Sequence, residues 1–366
     1  MASINDFIAS KKVILDTGPS GANIATPCLS FPQLLEISAS VLGWDSESIT
    51  AFFGREGNNG KRIQFYEPGR VIPLSYECEL FDPATQIARY WVKTDMIAQA
   101  LNHVWVAFGN DPNGTNQDNP ADVWSNGFGG VWHLSEDSGN QIDSKNSLVA
   151  TPKGSVTQGV AGYVGNGDLF NNPINYQPPS ILTVPHNIAL DTPTELTISG
   201  WMKVPTGKSH TLVQKGIFNT NIDYRLVVVV ATGKGRFAFD NGATRKTIDT
   251  ISNFPNNIWT HYAVTAKENV ADLDIKFYLN GVNDNSGTIV TASLDQFSTE
   301  LCIGGLDGSS SLATNGYIDE VRISTVARTT DWLKLEYYSM LVANGFHGGK
   351  YMTWDFTIWN TELLEN

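Results

Sequence analysis

Short runs of alternating apolar and polar residues, each closed by turn chemistry, recur along most of this chain and limit it to a sheet-built fold. In Val71–Leu80, Ile72, Leu74, Tyr76, Cys78 and Leu80 alternate with Val71, Pro73, Ser75, Glu77 and Glu79. Successive side chains of a strand point to opposite faces, so this run predicts one buried and one mostly wet face. Asp82-Pro83-Ala84-Thr85 supplies a turn, and Ile87–Lys93 follows as its hairpin partner. His103–Phe108 alternates again and ends in the polar, turn-rich stretch from Gly109 to Pro120. Leu196–Val204, Tyr224–Val230 and Trp259–Thr265 are rich in β-branched and aromatic residues. Asn280-Gly281 after Asp274–Leu279, and Asn241-Gly242 after Arg236–Phe239, tolerate the positive φ angles of type I′ hairpin turns.

Strands this dense predict an all-β protein of two consecutive β-sandwich (jelly-roll) domains. The 366 residues are enough for two domains that each bury a core. The first is expected over residues 1–125 and the second over 126–340, with a boundary near 111–128 and a C-terminal β extension over 341–366. One helix is expected, Thr330–Tyr338, with Thr330 as its cap and Asp331 in the first turn. Cys28, Cys78 and Cys302 form neither a metal-ligand pair nor a disulfide framework and are read as small buried hydrophobes. A net charge of −13, with no basic cluster, excludes nucleic acid as the natural partner. No stretch is apolar for long enough to span a bilayer, and Met1–Lys12 lacks the apolar core of a signal peptide.

Several segments, taken in order, carry a likeness. Gly129–Ser144 (GGVWHLSEDSGNQIDS) has an aromatic-His-Leu run followed by an Asp-Ser pair. Ile198-Ser199-Gly200-Trp201-Met202-Lys203, Leu212-Val213-Gln214-Lys215-Gly216, Trp259–Thr265 and Phe277-Tyr278-Leu279-Asn280-Gly281 follow. Gly316–Ile323 and Ala327-Arg328 close the series. The ordered set resembles the laminin-G-like, concanavalin-A-like lectin modules of bacterial surface proteins, and the resemblance implies a lectin-type jelly roll. Leu74–Glu77, Tyr90–Lys93 and Ala107–Asn110 resemble a surface-protein domain of unknown function that commonly precedes such modules. Two segments depart from the pattern. Gly165–Asn172 and a Pro-rich insertion through Pro179 replace the family's compact turn, and Asn344–Asn366 extends past its usual end.

Glucanases of this overall fold carry an E-x-D-x-x-E or E-x-D-x-E strand, whose spacing aims all the carboxylates into one cleft. This sequence has none. Glu136-Asp137 and Asp272-x-Asp274 lack a third member and are read as solvated loop charge. The histidines offer neither an H-x-x-x-H pair nor a nucleophile elbow, so His133 and His261 are expected to be hydrogen-bonded structural residues. Asp319 stands out because alternation puts it on one face with Val321 and Ile323, opposite Glu320 and Arg322. A carboxylate among aliphatics must be satisfied, either by backbone N–H groups across a loop or by Ca²⁺ shared with carbonyls and Asp168. Calcium is therefore the one cofactor expected here. Sugar binding on such sandwiches uses exposed aromatics, whereas Trp201 and Trp259 are expected in the core.

In the tail, Met352, Trp354, Phe356 and Ile358 share one face of an aromatic strand. A bare strand of this kind is an association hazard, so it either closes on its own domains or adds to a neighbouring subunit's sheet. Modules of this resemblance are displayed outside cells, and no leader is visible here. The function expected is a non-enzymatic, surface-exposed structural or adhesion protein of a phage virion, such as a decoration or fibre protein. Its expected partners are other virion subunits, further copies of itself and glycans. The alternatives are a secreted bacterial adhesin or carbohydrate-binding module on the cell surface and, behind these, an accessory domain of a glycan-degrading enzyme.

Overall fold

A computed structural model describes residues 7, 9–39, 44–56, 59–109, 118–173, 178–217, 220–242, 244–309, 311–341 and 351–354. Strands dominate it, and the chain forms two compact units. Unit one comprises Met1–Asn126 with Lys334–Asn366, and unit two comprises Gly127–Leu333. The described residues Tyr351–Trp354 of the C-terminal stretch fall in the first unit.

In unit one, a five-stranded sheet runs Met352–Trp354, Ala9–Asp16, Leu101–Phe108, Gln64–Tyr66, Pro73–Leu74. A three-stranded sheet runs Cys28–Ser38, Ile87–Met96, Tyr76–Asp82. The turn at Asp82 forms as its chemistry predicts, with Asp82 Oδ1 accepting from the Ala84 N–H at 2.9 Å. The Val71–Leu80 run, however, is not one strand. Pro73–Leu74 and Tyr76–Asp82 belong to different sheets, and Ile72, expected to be buried, is 62% exposed. Strict alternation also fails at Glu77, which is buried because its Oε2 accepts from Trp124 Nε1 at 2.5 Å. Cys28 and Cys302 are buried, whereas Cys78 is only half-buried.

A helix over Ser46–Glu56 was not anticipated. Ile49, Phe52 and Phe53 fall at helical spacing and are buried, and Phe52 packs against Phe53, Phe81 and Phe108 with ring centroids 5.1–6.1 Å apart. Asp45 caps it, its Oδ1 accepting the Ser48 N–H at 2.7 Å, and that bond lowers its carboxyl pKa. The described part of the tail closes on its own unit. Leu15, Ile14 and Val13 pair with Met352, Thr353 and Trp354, and the Asp16 N–H donates to the Tyr351 carbonyl at 2.7 Å. Phe356 and Ile358 lie outside the described residues.

Unit two is a sandwich of two sheets. One runs Thr244–Asn253, Lys234–Asn241, Asn221–Val229, His210–Ile217, Leu301–Ile303, Ile181–Val184, Val149–Lys153, Gln141–Ile142. The other runs Val156–Ala161, Asn166–Phe170, Gly316–Ser324, Glu195–Lys203, Thr260–Asn269, Asp272–Leu279, Val282–Ile289, and Phe128–Trp132 also pairs with Gly316–Ser324. Their facing sides form one core that includes Ile198, Met202, Leu226, Phe237, Val264, Ile318, Val321 and Ile323. Asn280 and Gly281 sit at φ +50° and +72°, the conformation of a type I′ turn. The expected helix is observed as Thr330–Met340, but the capping hydroxyl is that of Thr329, which accepts from the Trp332 N–H at 3.1 Å. Thr330 instead pairs its hydroxyl with that of Tyr278 at 3.1 Å.

Candidate functional site

The outer face of the second sheet of unit two is organised by a backbone irregularity in Gly316–Ser324. Pairing with Glu195–Lys203 runs Ser199↔Arg322 and then Trp201↔Asp319, so one extra residue enters the long strand. Glu320 takes up the shift at φ +54°, a left-handed conformation that is uncommon for a glutamate. Two buried partners hold it there: His133 Nδ1 lies 2.8 Å from Glu320 Oε1, and Arg322 Nη2 donates to Oε2 at 2.6 Å.

The bulge corrects the face assigned to Asp319. Ile318, Val321 and Ile323 all point into the core, and Asp319 points the other way. Directly opposed residues of antiparallel strands share a face, so Asp319, Trp201 and His261 form one row across three strands. Tyr317, Lys203 and Trp259, each two residues along, form the next row on the same face.

Asp319 is fully buried, and its Oδ2 accepts the N–H groups of Tyr163 at 2.6 Å and Val164 at 2.8 Å. These belong to the turn between Val156–Ala161 and Asn166–Phe170, closed by the Gly162 N–H to the Gly165 carbonyl at 2.9 Å. A Cβ at position 162 would stand 2.6 Å from Asp319 Oδ2, so the close approach requires glycine. The clamped turn lays Tyr163 flat on Trp201, with centroids 3.3 Å apart and planes 11° apart. Trp259 meets Tyr163 edge-on at 6.1 Å, Tyr317 lies 6.1 Å from Trp259, and Lys203 Nζ stands 5.4 Å from the Tyr317 ring. Trp201 is buried on this outer face, whereas Tyr163, Trp259, Tyr317 and Lys203 are half-buried. Trp259 therefore does not belong to the core.

Asp168 does not join Asp319. It opposes Ile318, which faces the core, so the two carboxylates lie on opposite sides of the sheet. Gln141 Nε2 donates to both Asp168 oxygens, at 3.1 and 3.3 Å. Burial, with the neighbouring charge of Glu136, pushes the Asp168 carboxyl up to about 8.

Two other polar surfaces among the described residues carry charges that are paired with one another or with backbone groups. In the first sheet of unit two, Arg236 forks onto Asp249 at 2.6 and 2.8 Å, and Arg245 pairs with Asp240. In unit one a cleft of about 470 Å³ is bordered by Glu67, Lys93, Asp95, His103 and Asp122. There Lys93 bonds Asp122 at 3.0 Å, Asp95 accepts the Ser30 N–H at 2.7 Å, and Glu67 accepts from Val71 N at 2.9 Å. The clustered aromatics distinguish the outer face built on Trp201. Sequence reading missed Tyr163 and Tyr317, because one lies in a turn and the other looks like an ordinary strand residue.

No curated protein matches the chain. The binding domain of Paraclostridial Mosquitocidal Protein 1 is similar at 19% identity and TM-score 0.46, over 58% of this chain and 52% of that one. Domain 4 of AbnA, a GH43 extracellular arabinanase from Geobacillus stearothermophilus solved with arabinotriose, is similar at 19% identity and TM-score 0.44, over 57% of this chain and 96% of that one. A structure of botulinum neurotoxin type C, whose cell entry is described as dependent on two ganglioside molecules, is similar at 13% identity and TM-score 0.42, over 58% of this chain and 50% of that one. The chain thus spans about half the length of the toxin chains it matches. Residues 180–334 match the family model described as the concanavalin A-like lectin/glucanases superfamily, and this part of the second unit is a domain of that superfamily.

Proposed function

We propose that the second unit is a non-catalytic glycan-binding domain whose stacking surface is Tyr163, Trp259 and Tyr317, with Lys203 beside them as hydroxyl-binding donor. The observation that carries this reading is the half-buried aromatic cluster on the outer face, backed by the buried Trp201 and fixed by the Asp319 clamp. Aromatic faces stack on the C–H faces of sugar rings, and a rigid backing lowers the ordering cost of binding. Asp319 is the carboxylate of that face, and it is engaged with two backbone N–H groups, an architectural rather than an acid–base arrangement. On this reading the chain is a contact protein displayed on a surface. The setting we propose is a phage virion, as a decoration or fibre subunit among further copies and other virion proteins. A secreted bacterial adhesin is the second reading, favoured by the likeness of Gly129–Ser144 to surface-protein modules.

The test is a glycan array probed with the full chain, followed by calorimetry on the best ligand. Trp259→Ala is expected to weaken binding about tenfold, the loss of roughly 1.4 kcal/mol of stacking. Unchanged affinity in both Trp259→Ala and Tyr317→Ala, or hydrolysis of the bound glycan, overturns the proposal.

A further inference from the structure

Unit two buries a lysine against two carboxylates at one end of the strand His210–Ile217. Lys215 and Asp223 are both fully buried, and Lys215 Nζ contacts Asp223 Oδ2. The same nitrogen lies 2.8 Å from Asp191 Oδ1 and donates to the Phe297 carbonyl at 2.7 Å. The other Asp223 oxygen, Oδ1, accepts the Phe297 N–H at 3.0 Å. Asp191 is partly exposed, and its second oxygen stands 3.3 Å from His186 Nε2, which gives the cluster a route for protons to solvent. Two ions taken out of water lose much of their solvation, and burial pushes the Asp223 carboxyl up despite the adjacent lysine. Burial thus favours the uncharged acid form of Asp223, whose carboxyl carbon an amine can attack.

We propose that Lys215 and Asp223 condense into an intramolecular amide, with Asp191 carrying the proton. Asp223 first takes up a proton from solvent and becomes the free acid; Asp191 then takes a proton from the Lys215 ammonium, and the freed lone pair attacks Asp223 Cγ. The Phe297 N–H steadies the negative charge that develops on Oδ1 in the tetrahedral intermediate. Asp191 returns its proton to the Asp223 hydroxyl, the C–O bond breaks and water leaves. The nitrogen then gives up its surplus proton to Asp191, which releases it towards His186 and solvent. One N–C bond forms, one C–O bond breaks, one water is released, and nothing is oxidised or reduced. The product is a neutral amide where an ion pair stood, and it ties His210–Ile217 covalently to Asn221–Val229 across their connecting turn.

The test is the intact mass of the purified, folded full chain, measured after denaturation, with a tryptic map to locate any loss. The expected result is a mass lower than the sequence mass by one water. It comes with an uncut peptide from Ser209 to Arg225, because an acylated Lys215 is no longer a trypsin site. Lys215→Arg and Asp191→Asn are expected to retain the full mass. A succinimide at Asp307-Gly308 would give the same loss in a different peptide, and that outcome overturns the proposal. So does a wild-type chain of full mass that trypsin cuts after Lys215.

Discussion

Removing the Asp319 carboxylate tests whether it clamps the Tyr163 turn or serves as a ligand for calcium. In Asp319→Ala the Tyr163 and Val164 N–H groups lose an acceptor that lies 2.6 and 2.8 Å away. A hydrogen bond to a charged group contributes about 1.5–3 kcal/mol, so losing two costs about 3 kcal/mol at least. For a domain of this size that corresponds to a melting point lower by roughly 6–12 °C. Asp319→Asn keeps one side-chain oxygen and is expected to lose about half as much. Thermal denaturation of the full chain would be read together with amide hydrogen exchange. Exchange at Tyr163 and Val164 should accelerate far more than exchange across Thr260–Asn269, because the damage begins in the turn. Glycan affinity should fall as well, since Tyr163 loses the support that holds it on Trp201. Stability within about 0.5 kcal/mol of wild type, with both amides still protected, would refute the clamp. Calcium that raises the melting point of wild type but not of Asp319→Ala would refute it differently, by showing the carboxylate to be an ion ligand.

Two buried titratable groups give further expectations. Asp168 has its folded pKa raised to about 8, so the folded chain holds a proton that the unfolded chain releases at much lower pH. The stability it lends is complete in acid and lost as pH rises through about 8; denaturant titrations from about pH 5 to about pH 9 should show Asp168→Asn declining less than wild type. His210 is opposite in sense. Burial pushes its pKa down to about 4, while Nε2 faces the Pro205 carbonyl at 2.8 Å and Nδ1 accepts the Asn315 N–H at 3.2 Å. The unfolded chain therefore takes up a proton first, and stability falls as pH drops from about 6.5 to about 4. Imidazole carbon shifts in an NMR titration should stay those of the neutral ring down to about pH 5.

The sheet-built character of the chain is legible because strand signals are local. Asn280-Gly281 specifies a hairpin without help from distant residues, and the structure has it. The helix Ser46–Glu56 carried a signal as well, in Asp45 followed by Ile49, Phe52 and Phe53, which a search tuned to alternation passes over. Val71–Leu80 shows the opposite error. Its alternation is real in the letters, yet Leu74 and Tyr76 lie in strands of different sheets. A period of two states which residues could share a face, and it carries no information on whether the strand continues.

The site was less legible, for a reason that one residue makes plain. Nothing in Gly316–Ser324 marks Glu320 for a left-handed backbone, which glycine or asparagine would have signalled. The conformation is supported by Arg322 on the same strand and by His133, 187 positions earlier, and such support has no local signature. Its consequence is disproportionate. Reading through the bulge inverts the side to which Asp319 points, and with it the apparent role of that carboxylate. On either face the acid must be satisfied, and of the two partners the sequence allows, backbone N–H groups across a loop and an ion, the structure shows N–H groups of the turn that carries Tyr163. Trp201 is placed outside the sandwich core by its own strand's alternation with Ile198 and Met202, and there it lies beneath Tyr163. In a sheet, one inserted residue is therefore enough to exchange the face, and with it the neighbours, of every strand residue beyond it.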